Sequence, residues 1–429
     1  MANRFKKIIA LLGDLLILHS SLTLTLIIRY GSNNFYELWL KHWPSFAIIF
    51  LIWILVFYIY NLYNLILAAD KLKFNQLALN AILISSLLSV TFFYLNPATQ
   101  ITPKTNLALF IVLTIALFIL WRKFFNSLLQ NYLPKNNLLL IAKRDKVEKL
   151  VNYIQTKKHL GFHAALVLEE TLSEESLKDI IQTKRIHTIV LDPSHSEAET
   201  FRKLLFKCLP YKLVFTDLSN FYEKITGKVS IDNITHTWFL ENFNEGEKKY
   251  FNHIKRIYDL IMSLIIFLIS LPLWLIMALA IILDSGLPVF YRQKRLGKNG
   301  AVFNIIKFRT MKHEKITRTG SFLRKTRLDE LPQLLNIIQG KMSFIGPRPE
   351  QVNIVEKLKE QIPFYQERLL IKPGLSGWDQ ISENYHSASY KDSFEKLQYD
   401  LFYIKNRSIY LDFSITLKTI ATILRRKGK

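Results

Sequence analysis

The first 121 residues hold four apolar stretches, at about 8–28, 45–66, 76–95 and 105–121. A bilayer core about 30 Å thick is crossed by about 20 helical residues, and each stretch has roughly that length. Inside hydrocarbon every backbone polar group must be paired within the chain, so such segments can only be helices packed on one another or on lipid. Half of the 429 residues are hydrophobic, yet the net charge is +23. A water-soluble domain is rarely both, so the chain reads as a membrane protein with basic parts facing water.

The basic excess could meet nucleic acid, anionic lipid or a phosphorylated substrate. No RNP-type motif, zinc-ligand spacing or basic heptad accompanies it, so nucleic acid is set aside as a partner. The single cysteine, Cys208, excludes an internal disulfide and fits a reducing compartment. Arg4, Lys6 and Lys7 precede the first span without a small-residue cleavage site, which predicts an anchor rather than a removed signal peptide. Trp39, Trp43 and Trp121 fall at span ends, where interfacial aromatics belong. Lys71, Lys73, Arg122 and Lys123 outweigh Arg29, Lys41 and Lys104, a bias that places both ends of the four-helix bundle in the cytoplasm. Asp14 and His19 lie inside the first span, either as a functional polar site or as a satisfied contact between helices.

From about 135 to 245 the pattern changes. "NNLLLIA", "HAALVLE", "IHTIVLD" and "YKLVFTD" read as buried strands, with "RDKVEKLVNYIQ" and "AETFRKLLFKCL" as helices between them. Such alternation predicts a parallel, Rossmann-like α/β sheet. The turn after its first strand, "IAKRDK", has no glycine where a dinucleotide fingerprint would need several, so no cofactor site is expected there.

A fifth apolar segment follows, from Ile257 to Leu283, interrupted only by Asp259. A straight span would put the flanking domains on opposite sides of the membrane. Pro272 removes a backbone hydrogen bond in mid-segment and Ser270 stands ready to satisfy freed carbonyls. Lys255 and Arg256 before it, and Arg292, Lys294 and Arg295 after it, suit a kinked, re-entrant helix returning to one anionic surface. The residues alone leave the two geometries open.

The unusual chemistry lies in the last third. In "LDELPQLLNIIQG", Leu331, Leu334, Leu335 and Ile338 mark an amphipathic helix, with Pro332 in its first turn and Gly340 just past its end. Asp329 and Glu330 are then placed at the helix N-terminus, where a lone Asp is most simply a cap. Arg324 and Arg327, just upstream, add forked donors suited to phosphate. A carboxylate kept ionised beside a phosphate can act as a nucleophile. Two adjacent carboxylates repel unless a cation stands between them, and magnesium is commonly held by one or two carboxylates plus substrate phosphates. The natural division is one carboxylate attacking phosphorus and the other holding metal. No nucleophile elbow, zinc pair or P-loop is present, which leaves phosphoryl chemistry at a membrane interface.

"VFYRQKRLGKNGAVFNIIKFRTM", "LRKTRLDELPQLLNIIQGKMSFIGPRPE" and "KPGLSGW" resemble, in order and spacing, the bacterial sugar transferases, over about 250–425. These are monotopic polyprenyl-phosphate sugar-1-phosphate transferases that start exopolysaccharide and O-antigen repeat units. The resemblance implies a UDP-sugar donor and a polyprenyl phosphate acceptor. Asp329 is implied as a covalent nucleophile that expels UMP, and Glu330 as the magnesium-associated carboxylate. Arg324 and Arg348 match substrate-phosphate positions; Lys307, Arg309 and Arg295 fall in the family's basic front segment. The family also implies the re-entrant helix with its kink at Ser270 and Pro272. Here Leu271 separates those two residues, where relatives often have Ser-Pro directly. The "KHEKIT" loop is also shorter than is usual in relatives, and it lacks their extra acidic residues.

The expected organisation is a four-helix transmembrane bundle over 1–130 and a Rossmann-like α/β domain over 131–248. A re-entrant membrane helix over 249–284 and a small, mostly helical catalytic domain over 285–429 complete it. Membrane lipid is the further expected partner, with a second copy of the chain as another candidate. The expected location is the bacterial inner membrane, with the catalytic domain cytoplasmic. The rivals are a catalytically idle scaffold of a polysaccharide assembly complex and a membrane sensor reading nucleotide through the α/β domain. Trp378 of "KPGLSGW" is expected either at the interface or against the nucleotide base.

Overall fold

A computed structural model describes residues 2–32, 34–60, 62–63, 71–96, 103–131, 136–157, 160–169, 173–192, 203, 206–243, 246, 248–381 and 389–424. The side chains of Arg4, Lys6, Lys71, Lys73 and Lys104, most of the helix expected at 197–208, and the tail from 425 lie outside them. The chain forms two compact units, Met1–Phe215 and Thr216–Lys429. The break falls inside the stretch expected to be the α/β domain.

The first unit opens with four helices, α1 Ala2–Tyr30, α2 Phe35–Ile59, α3 Lys71–Leu95 and α4 Pro103–Asn131. Each contains a segment long and apolar enough to cross a membrane. One apolar cluster draws on all four, with Leu18, Trp53, Ala81 and Phe110 fully buried. Their outer faces stay apolar: Leu16, Leu51, Leu87 and Leu120 are all more than half exposed. Such a surface is stable in lipid and not in water, the mark of a membrane protein. Asp14 and His19 of α1 both make contacts within this unit. Asp14 Oδ2 accepts from Arg122 Nη2 of α4 at 2.6 Å, both side chains buried, and Arg122 Nη1 donates to the Leu62 carbonyl. His19 Nδ1 lies 2.8 Å from the Leu15 carbonyl, its ring centroid 5.0 Å from that of Trp43 and 4.9 Å from that of Phe50.

The sheet of this unit has the order β2-β1-β3-β4, with β1 Asn136–Ile141 parallel to both β2 Phe162–Leu168 and β3 Ile186–Leu191. The short fourth strand, β4 Val214–Asp217, carries the chain across the unit boundary. Helices α5 Arg144–Thr156 and α6 Glu174–Thr183 connect the first three strands. Leu138, Leu139 and Leu140 are consecutive and fully buried, as in a parallel strand covered on both faces. The glycine-free turn leads directly into α5, whose Lys146 pairs with Asp192 after β3 at 2.8 Å.

In the second unit α7 Leu218–Thr226 and α8 His236–Asn242 precede the long helix α9 Lys249–Ser285. Val229, Ile231 and Ile234, between α7 and α8, share a core with Leu358, Leu397 and Leu401 far along the chain. Helix α9 runs 37 residues through Pro272 without interruption. Ser270 Oγ donates to the Phe267 carbonyl and accepts from Trp274 Nε1, each at 3.1 Å. Proline removes the amide that would have met the Leu268 carbonyl, so Ser270 supports the neighbouring position instead. One face of α9 packs through Phe267, Trp274, Met277 and Ile281 against the domain that follows. The other exposes Ile257, Ile261, Leu264, Leu268, Leu275, Leu279 and Leu283 at helical spacing.

Beyond α9, β5 Phe290–Leu296 pairs antiparallel with β6 Val302–Phe308. The short "KHEKIT" loop is a miniature hairpin of β7 Met311–Lys312 and β8 Lys315–Ile316. Its turn residues His313 and Glu314 both have positive φ, 47° and 61°, as a type I′ turn requires. Then follow α10 Arg318–Thr326, α11 Gln333–Ile338, β9 Ser343–Ile345, α12 Val352–Gln361, β10 Gly374–Ser376, α13 Tyr390–Asn406 and α14 Ile409–Leu424. Strands β9 and β10 run parallel.

Candidate active site

The segment 318–340 is less regular than its apolar spacing predicts. Thr317 caps α10 by accepting from the Gly320 amide at 3.0 Å. Arg327 then adopts a left-handed conformation, φ 55°, which stops the helix. Leu328–Glu330 form a single 3₁₀ turn, and α11 begins only after Pro332. Gly340, φ 77°, lies just past its end, as expected. The acid pair therefore occupies an elbow between two short helices and not the first turn of one. No side chain caps α11, so Asp329 is not serving as its cap.

A 3₁₀ turn sets neighbouring side chains about 120° apart, and the two acids part company accordingly. Glu330 turns inward and is buried. Its Oε1 accepts from Lys307 Nζ of β6 at 2.7 Å and from Arg348 Nη2 at 2.9 Å, while Arg327 lies 4.0 Å from its Oε2. Burial alone would push this carboxyl up, but Arg348, Lys307 and Arg327 overcome it and hold the group at about 2. Asp329 is half-buried, with no hydrogen bond or ion pair to its carboxylate among the described residues. Burial, then the charge of Glu330, raise its pKa above the ordinary 3.8. One acid is thus locked in its anionic form, and the other is unengaged and more basic.

Both acids line an open cleft of about 920 Å³, together with Arg295, Lys307, Arg309, Arg324 and Arg348. The structure brings together every expected phosphate-binding residue, yet gives them unequal freedom. Arg324 anchors its Nε on Thr310 Oγ1 at 2.9 Å, and its two terminal nitrogens have no partner among the described residues. Arg309 turns its guanidinium to the end of α9, donating to the Leu287 carbonyl and Ser285 Oγ at 2.8 Å each and to the Gly286 carbonyl. Arg295 donates to the Pro349 carbonyl at 3.2 Å and to Gln293 Oε1 at 2.6 Å. Ser270 and Pro272, inside α9, do not line the cleft.

Among the described residues no group of three or more His, Cys, Asp or Glu could hold a metal by itself. A hard cation would need substrate oxygens as well, the ordinary arrangement for magnesium at a diphosphate. Glu330 Oε2, which has Arg327 at 4.0 Å, and the Asp329 carboxylate, without a partner among the described residues, are oxygen donors that fit that use.

Several cleft residues escape the sequence analysis. Glu350 follows the "GPRP" run directly, and Lys396 of α13 pairs with it. Ser393, one turn before Lys396, also faces the cleft. The position of Glu350 beside the motif was a usable signal; nothing local marks Ser393 or Lys396. Trp378 is not among the residues that line the cleft. Its Nε1 donates to the Gly227 carbonyl at 2.9 Å, and its ring stacks on Phe402.

The family profile described as "Bacterial sugar transferase" matches residues 250–426. A protein of Bacillus subtilis called uncharacterized sugar transferase EpsL is 34% identical over 191 residues, 41% of this chain and 89% of its own length. The chain belongs to the bacterial sugar transferase family. Two longer relatives bear more specific names. The UDP-N-acetylgalactosamine-undecaprenyl-phosphate N-acetylgalactosaminephosphotransferase of Aeromonas hydrophila is 37% identical over 245 residues, covering 54% of this chain and 57% of that one. The UDP-glucose:undecaprenyl-phosphate glucose-1-phosphate transferase of Escherichia coli K12 is 36% identical over 182 residues, 39% of each chain. These matches span about half or less of the relatives' own length. This bacterial sugar transferase carries its acid pair, its clustered cations and α9 within the region that the family profile covers.

Proposed function

We propose that this protein transfers a sugar-1-phosphate from a UDP-sugar to polyprenyl phosphate, with Asp329 as covalent nucleophile. An Asp329 carboxylate oxygen attacks the sugar-linked phosphorus. The bond from that phosphorus to the bridging oxygen breaks, and UMP leaves with the electron pair. A phosphate oxygen of the polyprenyl phosphate then attacks the aspartyl-linked phosphorus, freeing the carboxylate and giving polyprenyl-diphosphate-sugar. The relatives named above act on UDP-sugars and undecaprenyl phosphate, which supports this donor and this acceptor.

The observation that carries the reading is the asymmetry of the acid pair. An unengaged, raised-pKa carboxylate at a cationic cleft is suited to attack; a clamped, fully ionised one is not. Lys307 and Arg348 are held at the site by Glu330, and Arg324 offers its free fork to the leaving diphosphate. Magnesium, held by Glu330 with the substrate phosphates, would neutralise charge on the diphosphate.

The reading places the first four helices as a transmembrane bundle and the catalytic domain at the cytoplasmic face of a bacterial inner membrane. There the reaction would be the first membrane step of exopolysaccharide or O-antigen synthesis. It also takes α9 as re-entrant. Support comes from its contacts with a single domain along its length, from Arg256 on the Ile337 and Ile338 carbonyls to Ser285 beneath Arg309. A helix crossing the bilayer would leave those partners on one side.

UMP release by purified, detergent-solubilised protein with magnesium, across a panel of UDP-sugars and with or without polyprenyl phosphate, tests the proposal. Asp329→Asn keeps the shape and removes the nucleophile. Turnover of one sugar by the wild type and none by the variant is the expected result. Equal UMP release by both refutes the covalent role. No release by either, with any nucleotide sugar, leaves the idle-scaffold rival standing.

A further inference from the structure

The loop Gly346–Glu350 carries Arg348 between two prolines, which supply no amide donors. It is fixed largely through its carbonyls. Pro347 O accepts from the Gly374 amide at 2.9 Å and Glu350 O from the Leu296 amide at 3.1 Å. The two carbonyls between them go to arginine side chains: Pro349 O to Arg295 Nη1, and Arg348 O to Arg368 Nη2 at 3.1 Å.

Arg368 is the unusual member. Its side chain is 2% exposed and it does not line the cleft of the acid pair. Nη1 donates to Tyr365 Oη at 2.7 Å, Nη2 lies 2.7 Å from the buried Asp400 Oδ2, and Glu350 Oε1 stands 3.8 Å away. Burying an ion pair is costly, and replacing one by apolar residues often stabilises a fold. As mere packing, then, Arg368 and Asp400 are a poor choice. What the guanidinium does provide is a planar fork with fixed directions, one arm of which ends on the peptide plane from which the Arg348 side chain springs.

We propose that Arg368, oriented by Asp400 and Tyr365, is the positioning residue that aims Arg348 at Glu330. Arg368 touches no substrate and acts through the backbone. Tilting the Arg348 carbonyl would swing a long side chain whose tip must stay within 2.9 Å of the Glu330 carboxylate. The inference rests on the cleft being the transferase site, and its test separates the two.

Arg368→Lys keeps the charge and loses the fork; Tyr365→Phe removes only one of its anchors and serves as a milder variant that will fold. UMP release is measured for each, alone and combined with Arg348→Lys. Arg368→Lys alone is expected to cost about tenfold or more in kcat. In the Arg348→Lys background it should cost less than about twofold, because the residue it positions is already lost. Fold-losses that multiply overturn the proposal. Hydrogen–deuterium exchange of residues 343–352 in the full-length protein needs no turnover. It should quicken in Arg368→Lys and in Tyr365→Phe while the β5–β6 hairpin is unchanged, and equal exchange in that loop overturns the proposal. An inactive wild type with quickened loop exchange refutes the transferase reading and keeps the positioning role.

Discussion

Replacing Glu330 by Gln retains the shape and removes the charge from a buried acid held by two cations. The ionised carboxylate is held at about 2, against an ordinary value of 4.5. At about 1.36 kcal/mol per pH unit, that difference of about 2.5 corresponds to about 3 kcal/mol of folding stability at neutral pH. The group is buried, so solvent screening takes little from this figure. Because the folded-state pKa is depressed, the contribution is fully present above about 4.5 and fades as pH falls towards 2. At pH 3 about 1 kcal/mol remains. Glu330→Gln is therefore expected to lower the thermal midpoint by about 6–12 °C at pH 7, taking about 2–4 °C per kcal/mol for a unit of this size. The gap should stay constant down to about pH 5, narrow below it, and close near pH 2. Thermal unfolding of the detergent-solubilised full chain, read across that range, measures it. Equal midpoints at pH 7, or a gap that ignores pH, would show that Lys307 and Arg348 do not clamp this carboxylate.

Asp329 has the opposite sign: its folded pKa is raised, so ionisation costs more folded than unfolded, and stability falls as pH rises through 3.8. Asp329→Asn should raise the thermal midpoint at pH 7 while abolishing turnover, and the wild-type acid limb should lie above pH 3.8. In the helical part of the first unit, Arg122→Leu strands the buried Asp14 and is expected to cost about 3–5 kcal/mol. The double variant with Asp14→Leu should recover most of that in thermal unfolding. Trp378→Phe loses the bond to the Gly227 carbonyl, about 1 kcal/mol, seen as a small drop in thermal midpoint. UDP affinity measured by calorimetry should be unchanged, since the indole lies off the cleft.

What the sequence by itself determined is local or periodic. The apolar spans of the first 121 residues are a matter of length and composition, and helices appear over each of them. β1 and β3 show as apolar runs because both faces of a central parallel strand are covered, whereas β2 and β4, expected to be buried as well, are only partly covered. Gly340 marks the end of α11 because a left-handed residue is easiest for glycine. The adjacent acids with arginines nearby were visible as a pattern of residue types. The helix expected to begin at the acids instead begins after Pro332, since neither the left-handed Arg327 nor the late start of α11 leaves a mark on the apolar spacing. Only the tertiary structure decided what each charge does. Lys307 and Arg348 stand 23 and 18 residues from Glu330, and Asp400 lies farther still along the chain. In the sequence they cannot be told from the many cations that solvate a surface, Arg309 among them, which instead ties down the end of α9. A charge acquires its pKa and its role from distance and burial, and both exist only once the chain has folded.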